Sequence, residues 1–260
     1  MLDSTTGKLP LLRWLLYPVP LVVLIVIWHL LTAGDPQRQF IFSSPEKVYA
    51  ALVRLTISGE LFHNAWVTIT EALVGFIFGT TTGAFLGLSL WYSRLVAQVA
   101  KPYITALATV PIFALAPIVI CWFGIGILSK IMLAFLSTVA VAIVQSYQGA
   151  MSVEPRFLLL LQVLGASRWQ TFRLVVMPSA LIWVINAMKL NIGLALLGAF
   201  IGEFISAEEG LGYMIVKASG LYDMATVFCG VIALVAIALV LTAIIEQVER
   251  RLLKWNVGYK

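Results

Sequence analysis

Six apolar segments, each long enough to cross a lipid bilayer as a helix, constrain the fold of this chain more than any other feature. They cover roughly residues 15–33, 66–92, 102–123, 129–149, 179–205 and 225–247. A hydrocarbon core about 30 Å thick needs about 20 mainly apolar residues per helical span. Because 61% of the 260 residues are hydrophobic and only 11% are charged, a water-soluble domain would leave much apolar surface exposed. The sequence therefore predicts an all-α membrane protein with about six transmembrane helices, forming one domain over residues 1–260.

Several classes of site are not supported by the residue pattern. Cys121 and Cys229 lie inside apolar runs, so we interpret them as small buried hydrophobic residues and predict neither a disulfide nor a metal site. His29 and His63 are isolated. The segment GIGILSK, residues 124–130, lacks the spacing of a phosphate-binding loop. The chain is thus predicted to hold no cofactor and to hydrolyse no ATP by itself.

Basic residues are divided unevenly between the two sides that a six-span topology defines. Of the 17 lysines and arginines, eleven fall on the side of the termini and five on the other, with Lys189 inside a span. The net charge of +5 is concentrated near the ends of apolar runs, which suits orientation in a membrane better than nucleic-acid binding. The positive-inside rule predicts cytoplasmic termini in a multi-pass protein of the cell inner membrane.

A polar segment, residues 150–178, interrupts the apolar pattern between the fourth and fifth spans. Within it, Pro155 favours a helix start, Gly165-Ala166-Ser167 predicts a break, and RWQTFRLVV predicts a second short helix bounded by Pro178. Polar side chains such as Arg168, Gln170 and Arg173 would need partners in hydrocarbon, so the segment is expected in the cytoplasm. We call residues 150–178 the coupling segment.

Two interpretations of the coupling segment remain open from the residues alone. It is either a solvated loop or a docking surface for a cytoplasmic protein. In the second case, Trp169 and Phe172 are aromatic anchors flanked by arginines, and these residue types dominate interface hot spots.

The coupling segment resembles the cytoplasmic EAA motif of permease subunits of bacterial ATP-binding-cassette importers. Gly165 matches the glycine of that motif, and Met177-Pro178 takes the place of its Leu-Pro. Leu159-Leu160-Leu161 replaces the Glu-Ala-Ala run. Stretches such as PIFALAPIVICWFGIGILSKI and ISAEEGLGYMI look like the branch that serves nitrate, bicarbonate, taurine and alkanesulfonate importers, over residues from about 40 to 257.

This resemblance implies a complex with other chains. The expected partners are a second permease subunit, forming a homodimer, two cytoplasmic ATPase subunits that bind ATP and Mg, and an external solute-binding protein. The resemblance also implies that the coupling segment contains a coupling helix seated in a groove of the ATPase. The residues assigned to that contact are Gly165, Ala166, Ser167, Arg168, Trp169, Phe172 and Arg173.

Glycines recur every fourth residue in the second span, at Gly75, Gly79, Gly83 and Gly87. On a helix this spacing builds a smooth stripe where another backbone can approach closely. The stripe either packs a neighbouring helix or acts as a sliding contact for a moving one.

Polar residues inside spans are candidates for the solute pathway, because they are costly in lipid. The fifth span carries four of them: Asn186, Lys189, Asn191 and Glu203. Lys189 with Asn186 either attracts an anion in a central cavity or binds carbonyl groups of another span. Glu203 lies at the outer end of its span, which favours a contact with the external loop.

The sequence thus predicts the permease subunit of an ATP-driven importer that moves a small anion, such as nitrate, bicarbonate or a sulfonate. The alternative is a self-sufficient secondary transporter or channel. That alternative would need coupling-ion ligands near the midplane, whereas the embedded acids Glu71 and Glu203 lie near span ends. A membrane-embedded enzyme has less support, since no nucleophile–base pair or metal set stands out.

Overall fold

The computed structural model describes Leu16 and residues 18–253, and this part of the chain is helical throughout, apart from short connections. The all-α prediction is confirmed. The helices are α1 Val19–Thr32, α2 Pro36–Phe42, α3 Pro45–Ile57, α4 Glu60–Ser89, α5 Arg94–Thr109, α6 Ile112–Phe123, α7 Ile127–Met151, α8 Pro155–Val163, α9 Arg168–Thr171, α10 Met177–Ser206, α11 Leu211–Gly220 and α12 Met224–Leu252. The predicted positions of both termini, including Lys260, lie outside the described residues.

Four helical stretches are long and apolar enough to cross a membrane. They are Glu60–Tyr92, Ile127–Met151, Arg168–Ser206 and Met224–Leu252. The pair α5 and α6 adds a fifth if it crosses as one unit. In the described chain, α1 has 14 residues, which at 1.5 Å per residue is about 21 Å and shorter than the hydrocarbon core. The count of six spans is therefore not confirmed.

The predicted third span, 102–123, is not one continuous helix. Helices α5 and α6 meet at an angle of 93°, with Val110 in an extended conformation (φ −66°, ψ 124°) immediately before Pro111. A proline disfavours the helical conformation of the residue that precedes it. Pro111 is a sequence signal for this bend. The apolar residues continue across it without a break, so the sequence predicts a single span instead.

Helices α4, α7 and α10 form the centre of the fold, and they pack closely because small residues line their contacts. A Cβ atom added to Gly83 of α4 would lie 2.5 Å from both the Cβ of Ala142 and the carbonyl oxygen of Val139 in α7. A Cβ added to Gly198 of α10 would lie 2.7 Å from the Cα of Ala134. The glycine stripe is thus buried against the backbone of α7, as expected if the stripe packs a neighbouring helix.

One long-range hydrogen bond lies at each end of this helical core. The Lys130 ammonium near the start of α7 donates to the Ser206 carbonyl oxygen at the end of α10, at 2.6 Å. At the other end, Arg168 donates to the Tyr92 carbonyl oxygen at 3.4 Å. The coupling segment therefore lies at one end of the core. The loop 207–210, which we call the opposite loop, lies at the other.

Candidate functional site

The coupling segment contains a sharp helix break at the predicted position. Helix α8 ends at Val163, and Gly165 adopts a left-handed conformation with φ +74°. Ser167 then starts α9 with a capping box: its Oγ accepts from the Gln170 amide at 3.2 Å, and its own amide donates to Gln170 Oε1 at 2.7 Å. A glycine with positive φ followed by a strong N-cap turns the chain between α8 and α9.

The predicted boundary at Pro178 is wrong. A π-helical turn over Phe172–Val176 joins α9 to α10, so residues Arg168–Ser206 form one continuous helical stretch of 39 residues. Pro178 lies in the first turn of α10. The wider π turn before it accommodates a residue that has no amide hydrogen to donate. The second short helix is therefore the beginning of the long helix itself.

Trp169 and Phe172 do not play equivalent parts. The Phe172 side chain is only 8% exposed, and its ring centroid lies 5.7 Å from that of Trp91 and 5.1 Å from that of Tyr92. Trp169 stacks on Phe172 at 5.9 Å but is 61% exposed. The expectation that both aromatics are free to fill a partner's groove is therefore corrected. Phe172 anchors the coupling segment to the rest of the chain, whereas Trp169 is accessible.

Besides Trp169, several apolar side chains at α8 are exposed. The exposed residues there are Leu159, Leu160, Val163 and Leu164. Arg173 is exposed, while Arg168 donates to the Tyr92 carbonyl oxygen. Leu159 and Leu160 stand at positions where the EAA motif has Glu and Ala. An apolar surface thus replaces the polar start of that motif.

Lys189 forms an ion pair that the sequence analysis did not identify. Its Nζ lies 2.6 Å from Glu249 Oε2, and both side chains are largely buried. The pair joins the middle of α10 to the last turn of α12. Glu249 could have been noticed as an acid that follows the last apolar run, but nothing in the spacing connects it with Lys189. Of the two interpretations of Lys189, this geometry matches a structural contact with another span, although the partner is a carboxylate instead of a carbonyl group.

Asn191 and Asn186 lie in different surroundings. Asn191 is fully buried in the helical core, where its Nδ2 donates to Thr80 Oγ1 of α4 at 2.9 Å and to the Thr138 carbonyl oxygen of α7 at 3.2 Å. It ties together the three central helices. Asn186 is half-buried, one turn before Lys189. The four polar candidates of the fifth span are therefore not assembled into one site.

Glu203 connects α10 to the opposite loop. Its Oε1 accepts from Thr68 Oγ1 at 2.6 Å, and its Oε2 accepts from the Gly212 amide at 2.6 Å. Gly210 packs so closely on the Glu203 carboxyl that a side chain at this position would collide with it. Gly210 also has a φ of +106°, which favours glycine. This is the loop contact expected for Glu203.

The cysteines and the metal-ligating residue types form no site within residues 18–253. No group of three or more His, Cys, Asp or Glu side chains there is arranged to hold a metal ion. Cys229 is buried, as expected, but Cys121 is exposed on α6. The interpretation of Cys121 as a buried residue is therefore wrong, because an apolar run in a membrane protein also includes residues that face outward.

Comparison with known proteins gives consistent matches over most of the chain. Residues 79–254 match the family described as binding-protein-dependent transport system inner membrane component. The riboflavin transport system permease protein RibX of Chloroflexus aurantiacus is 32% identical over 92% of this chain and 89% of its own length. The SsuC permease of Escherichia coli, named for aliphatic sulfonates transport, is 30% identical over 96% of both chains.

Solved structures share the fold at lower sequence identity. A chain of the MetNI methionine ABC transporter in an inward-facing conformation has a TM-score of 0.68 and 16% identity, covering 76% of this chain and 98% of its own. A chain of a bacterial ABC transporter for the acidic polysaccharide alginate has a TM-score of 0.62 and 18% identity, covering 92% and 96%.

Proposed function

The chain belongs to the family of binding-protein-dependent transport system inner membrane components and is a permease subunit of an ATP-binding-cassette importer, and from this premise we propose that its solute is a small anion. Its similarity to SsuC proteins of Escherichia coli and Bacillus subtilis, over 96% and 92% of this chain, is the observation that carries the proposal. Both relatives are named for aliphatic sulfonates. A sulfonate is therefore the first solute to test, ahead of nitrate and bicarbonate.

In the proposed complex, this chain forms a homodimer in the inner membrane with its termini in the cytoplasm. Two cytoplasmic ATPase subunits hold ATP and Mg and hydrolyse the nucleotide, while an external binding protein delivers the solute. The division of basic residues between the two sides supports this orientation. The opposite loop then faces outward.

The long helix Arg168–Ser206 supports a lever mechanism for alternating access. The exposed apolar side chains of Trp169 and of α8, such as Val163, would bind the ATPase. Phe172 packs against Trp91 and Tyr92. A displacement of the coupling segment by the ATPase would therefore be transmitted to the transmembrane helices. A helix of 39 residues at 1.5 Å per residue is about 58 Å long, and it carries Glu203 and its loop contacts at the far end. Rigid-body motion of packed helices is an established form of coupling.

A second solute class has support from other relatives. RibX is named for riboflavin, and the ThiX permease of Halalkalibacterium halodurans, named for formylaminopyrimidine, is 29% identical over 90% of this chain. Both names refer to heteroaromatic compounds. In addition, the most prominent cation of the spans, Lys189, is already paired with Glu249. A heteroaromatic solute is accordingly the second candidate.

The experiment that tests the proposal is transport by the reconstituted complex. The permease, its ATPase and the binding protein encoded beside it would be placed in liposomes, and uptake of labelled ethanesulfonate, nitrate and riboflavin would be compared. We expect ethanesulfonate to accumulate only with ATP and binding protein present. Accumulation of riboflavin alone would replace the anion by the second candidate. Uptake by the permease without the ATPase would instead identify a secondary transporter.

A further inference from the structure

A pair of buried carboxyl groups lies at the end of the molecule that carries the opposite loop. Glu71 of α4 is only 3% exposed and Glu203 of α10 only 1%. Their side chains are hydrogen-bonded to each other. Two carboxylates are acceptors only, so a hydrogen bond between them requires a proton on one of the two groups. The contact therefore needs one bound proton.

The surroundings of Glu203 favour its ionised form. Its Oε1 accepts from Thr68 Oγ1 and its Oε2 accepts from the Gly212 amide, each at 2.6 Å. Gly212 lies in the first turn of α11, where amide groups without helical partners favour a nearby negative charge. A carboxylate also has lone pairs for a third hydrogen bond, so Glu203 can accept from Glu71 as well.

The surroundings of Glu71 favour its protonated form. No amide or hydroxyl group of the described residues donates to its Oε2. Lys130 directs its three ammonium hydrogens to backbone carbonyl oxygens, including that of Ser206 at 2.6 Å. A buried carboxylate that lacks a donor is strongly unfavourable. A protonated Glu71 avoids this cost and donates to Glu203.

The charges around the pair balance if Glu71 is neutral. The positive charge of Lys130 on α7 offsets the negative charge of Glu203. Two further acids, both from the opposite loop, line the same cavity as Glu71: Glu208 and Glu209. Glu209 contacts His63 at 3.2 Å, and both of these side chains are exposed. An ionised Glu71 would therefore add a repelled and uncompensated charge.

The pair is built into the attachment of the opposite loop. The Leu211 amide, at the start of α11, donates to Thr68 Oγ1 at 2.9 Å, and the same hydroxyl group donates to Glu203. Gly210 packs directly against the Glu203 carboxyl. Movement of Glu203 away from Glu71 would therefore disturb the contacts that hold the loop and the start of α11.

A cavity of about 480 Å³ gives Glu71 access to water. Glu71 lines this cavity together with Trp66 and Glu208, which are both exposed. The volume has room for many water molecules. Water can therefore carry a proton between Glu71 and the bulk solution on the side of the opposite loop.

We propose that Glu71 and Glu203 form a proton-dependent latch for the opposite loop. With the proton on Glu71, the pair carries one negative charge, Lys130 offsets it, and the loop stays attached. When the loop detaches, Glu71 meets water, its O–H bond breaks and the proton passes to water. Two carboxylates that repel each other remain. The loop should therefore detach more often as the pH rises. The latch goes beyond the proposed function and does not depend on which solute is carried.

Infrared spectroscopy of the permease–ATPase complex in lipid nanodiscs tests the bound proton, because a protonated carboxyl group has a C=O stretching band that carboxylates lack. We expect a component of this band in the parent at neutral pH and its loss in Glu71→Gln, whose amide still donates to Glu203. In the parent, raising the pH should remove the same component. The matched control Glu208→Gln removes an exposed acid of the same cavity and should leave the band unchanged. A parent without the band, or an undiminished band in Glu71→Gln, overturns the proposal.

Cleavage by a glutamate-specific protease after Glu208 and Glu209 tests the latch itself, because cutting requires the loop to open. Opening releases one proton, so the cleavage rate of the parent, divided by that of Glu71→Gln at the same pH, should rise by up to about tenfold per pH unit above neutral. The ratio removes the pH dependence of the protease. A ratio that stays constant with pH overturns the latch. Neither measurement involves transport, so failure here leaves the importer function unaffected.

Discussion

At the scale of single residues, the charge that stands out most in the spans is Lys189. It forms an ion pair with Glu249 on another helix. Their side chains meet at 2.6 Å and are largely buried. Because each charge would be costly there alone, the pair holds the end of α12 against α10. This contact lies at the middle of the long helix Arg168–Ser206, where relative motion of the two helices would disturb it.

A double-mutant cycle tests this pair. We expect Lys189→Met and Glu249→Gln each to lower the stability of the permease by about 2 kcal/mol, between the values for exposed and fully buried pairs. The double variant should be no less stable than either single variant, because it leaves no unpaired charge. Thermal unfolding in detergent measures this, with the exposed Lys101→Met as the control. Additive losses would show that the two charges do not interact.

Asp223 provides a pH-dependent contribution to stability. Partial burial raises the pKa of Asp223, but hydrogen bonds from the Thr226 hydroxyl and amide and from Arg54 outweigh it and hold the pKa below its usual range. A carboxyl with a depressed pKa in the folded state stabilises the protein above its unfolded-state pKa. This contribution is lost as the pH falls through the folded-state pKa.

The variant Asp223→Asn isolates that charge, because asparagine caps a helix as well as aspartate does. We expect the variant to unfold at a lower temperature than the parent at neutral pH. The difference should shrink as the pH falls below about 4, where the aspartate becomes protonated. Unfolding temperatures measured across this range check the prediction, and a difference that stays constant with pH would contradict it.

At the scale of helices, the stripe of glycines on α4 determines how closely α7 can approach. A Cβ atom added to any glycine of the stripe would collide with atoms of α7. This holds for Gly75, Gly79, Gly83 and Gly87. Close backbone approach through small residues is the main way in which helices associate in lipid, where the hydrophobic effect gives no driving force between them.

Adding a methyl group to this stripe should destabilise the fold. We expect Gly83→Ala to cost about 1–3 kcal/mol, as overpacking does in other cores. Gly193 of α10 is the matched control, because nothing lies within 4 Å of the position a Cβ would take there. Gly193→Ala should be neutral or stabilise by up to about 1 kcal/mol, since alanine is the better helix former. Thermal unfolding compares the two, and equal effects would mean that α4 and α7 are not tightly packed.

Substitutions of the two aromatic residues of the coupling segment should have different effects. One should weaken binding of the ATPase, and the other should lower the stability of the permease. Trp169→Ala removes an exposed anchor and should weaken ATPase binding by about 2 kcal/mol or more, with the stability of the permease unchanged. Phe172→Ala removes a buried ring and should lower that stability by about 3 kcal/mol. A pull-down of the ATPase and a thermal unfolding curve for each variant measure both quantities. Release of the ATPase by Phe172→Ala at normal stability would reverse the assignment.

At the scale of the whole molecule, the helical stretch Arg168–Ser206 connects the two ends. Its 39 residues correspond to about 58 Å, longer than a bilayer with its headgroups. We therefore expect the coupling segment and the opposite loop to lie on opposite sides of the membrane. The distribution of basic residues then predicts that the side of the coupling segment is cytoplasmic.

Cysteine labelling of cells tests this orientation. In a background without the two native cysteines, Cys121→Ser with Cys229→Ala, we expect Glu208→Cys to react with an impermeant maleimide added outside. Val163→Cys in the coupling segment should react only after the membrane is opened. Labelling of both positions from one side of intact cells would refute the topology. Labelling of Val163→Cys alone would invert it.

Some conclusions required only local composition and spacing, so they could be reached from the sequence. The membrane class follows from the apolar runs, and the helix break at Gly165 follows from a glycine placed two residues before an N-cap serine. Propensity and hydropathy act over a few residues, and the chain displays them directly. The bend at Pro111 belongs to the same class of signal, although the apolar run across it was interpreted as one span.

Other conclusions depended on which distant residues meet, and only the tertiary structure decided them. The partner of Lys189 is Glu249 on another helix, Phe172 packs against Trp91 from a different part of the chain, and Glu71 faces a cavity shared by three segments. Helical spacing predicts which side chains share a face, but the neighbour of that face depends on how several helices pack together. The sequence by itself therefore determined the class of protein and its candidate residues. Packing determined which of them bind one another and which remain free to bind a partner.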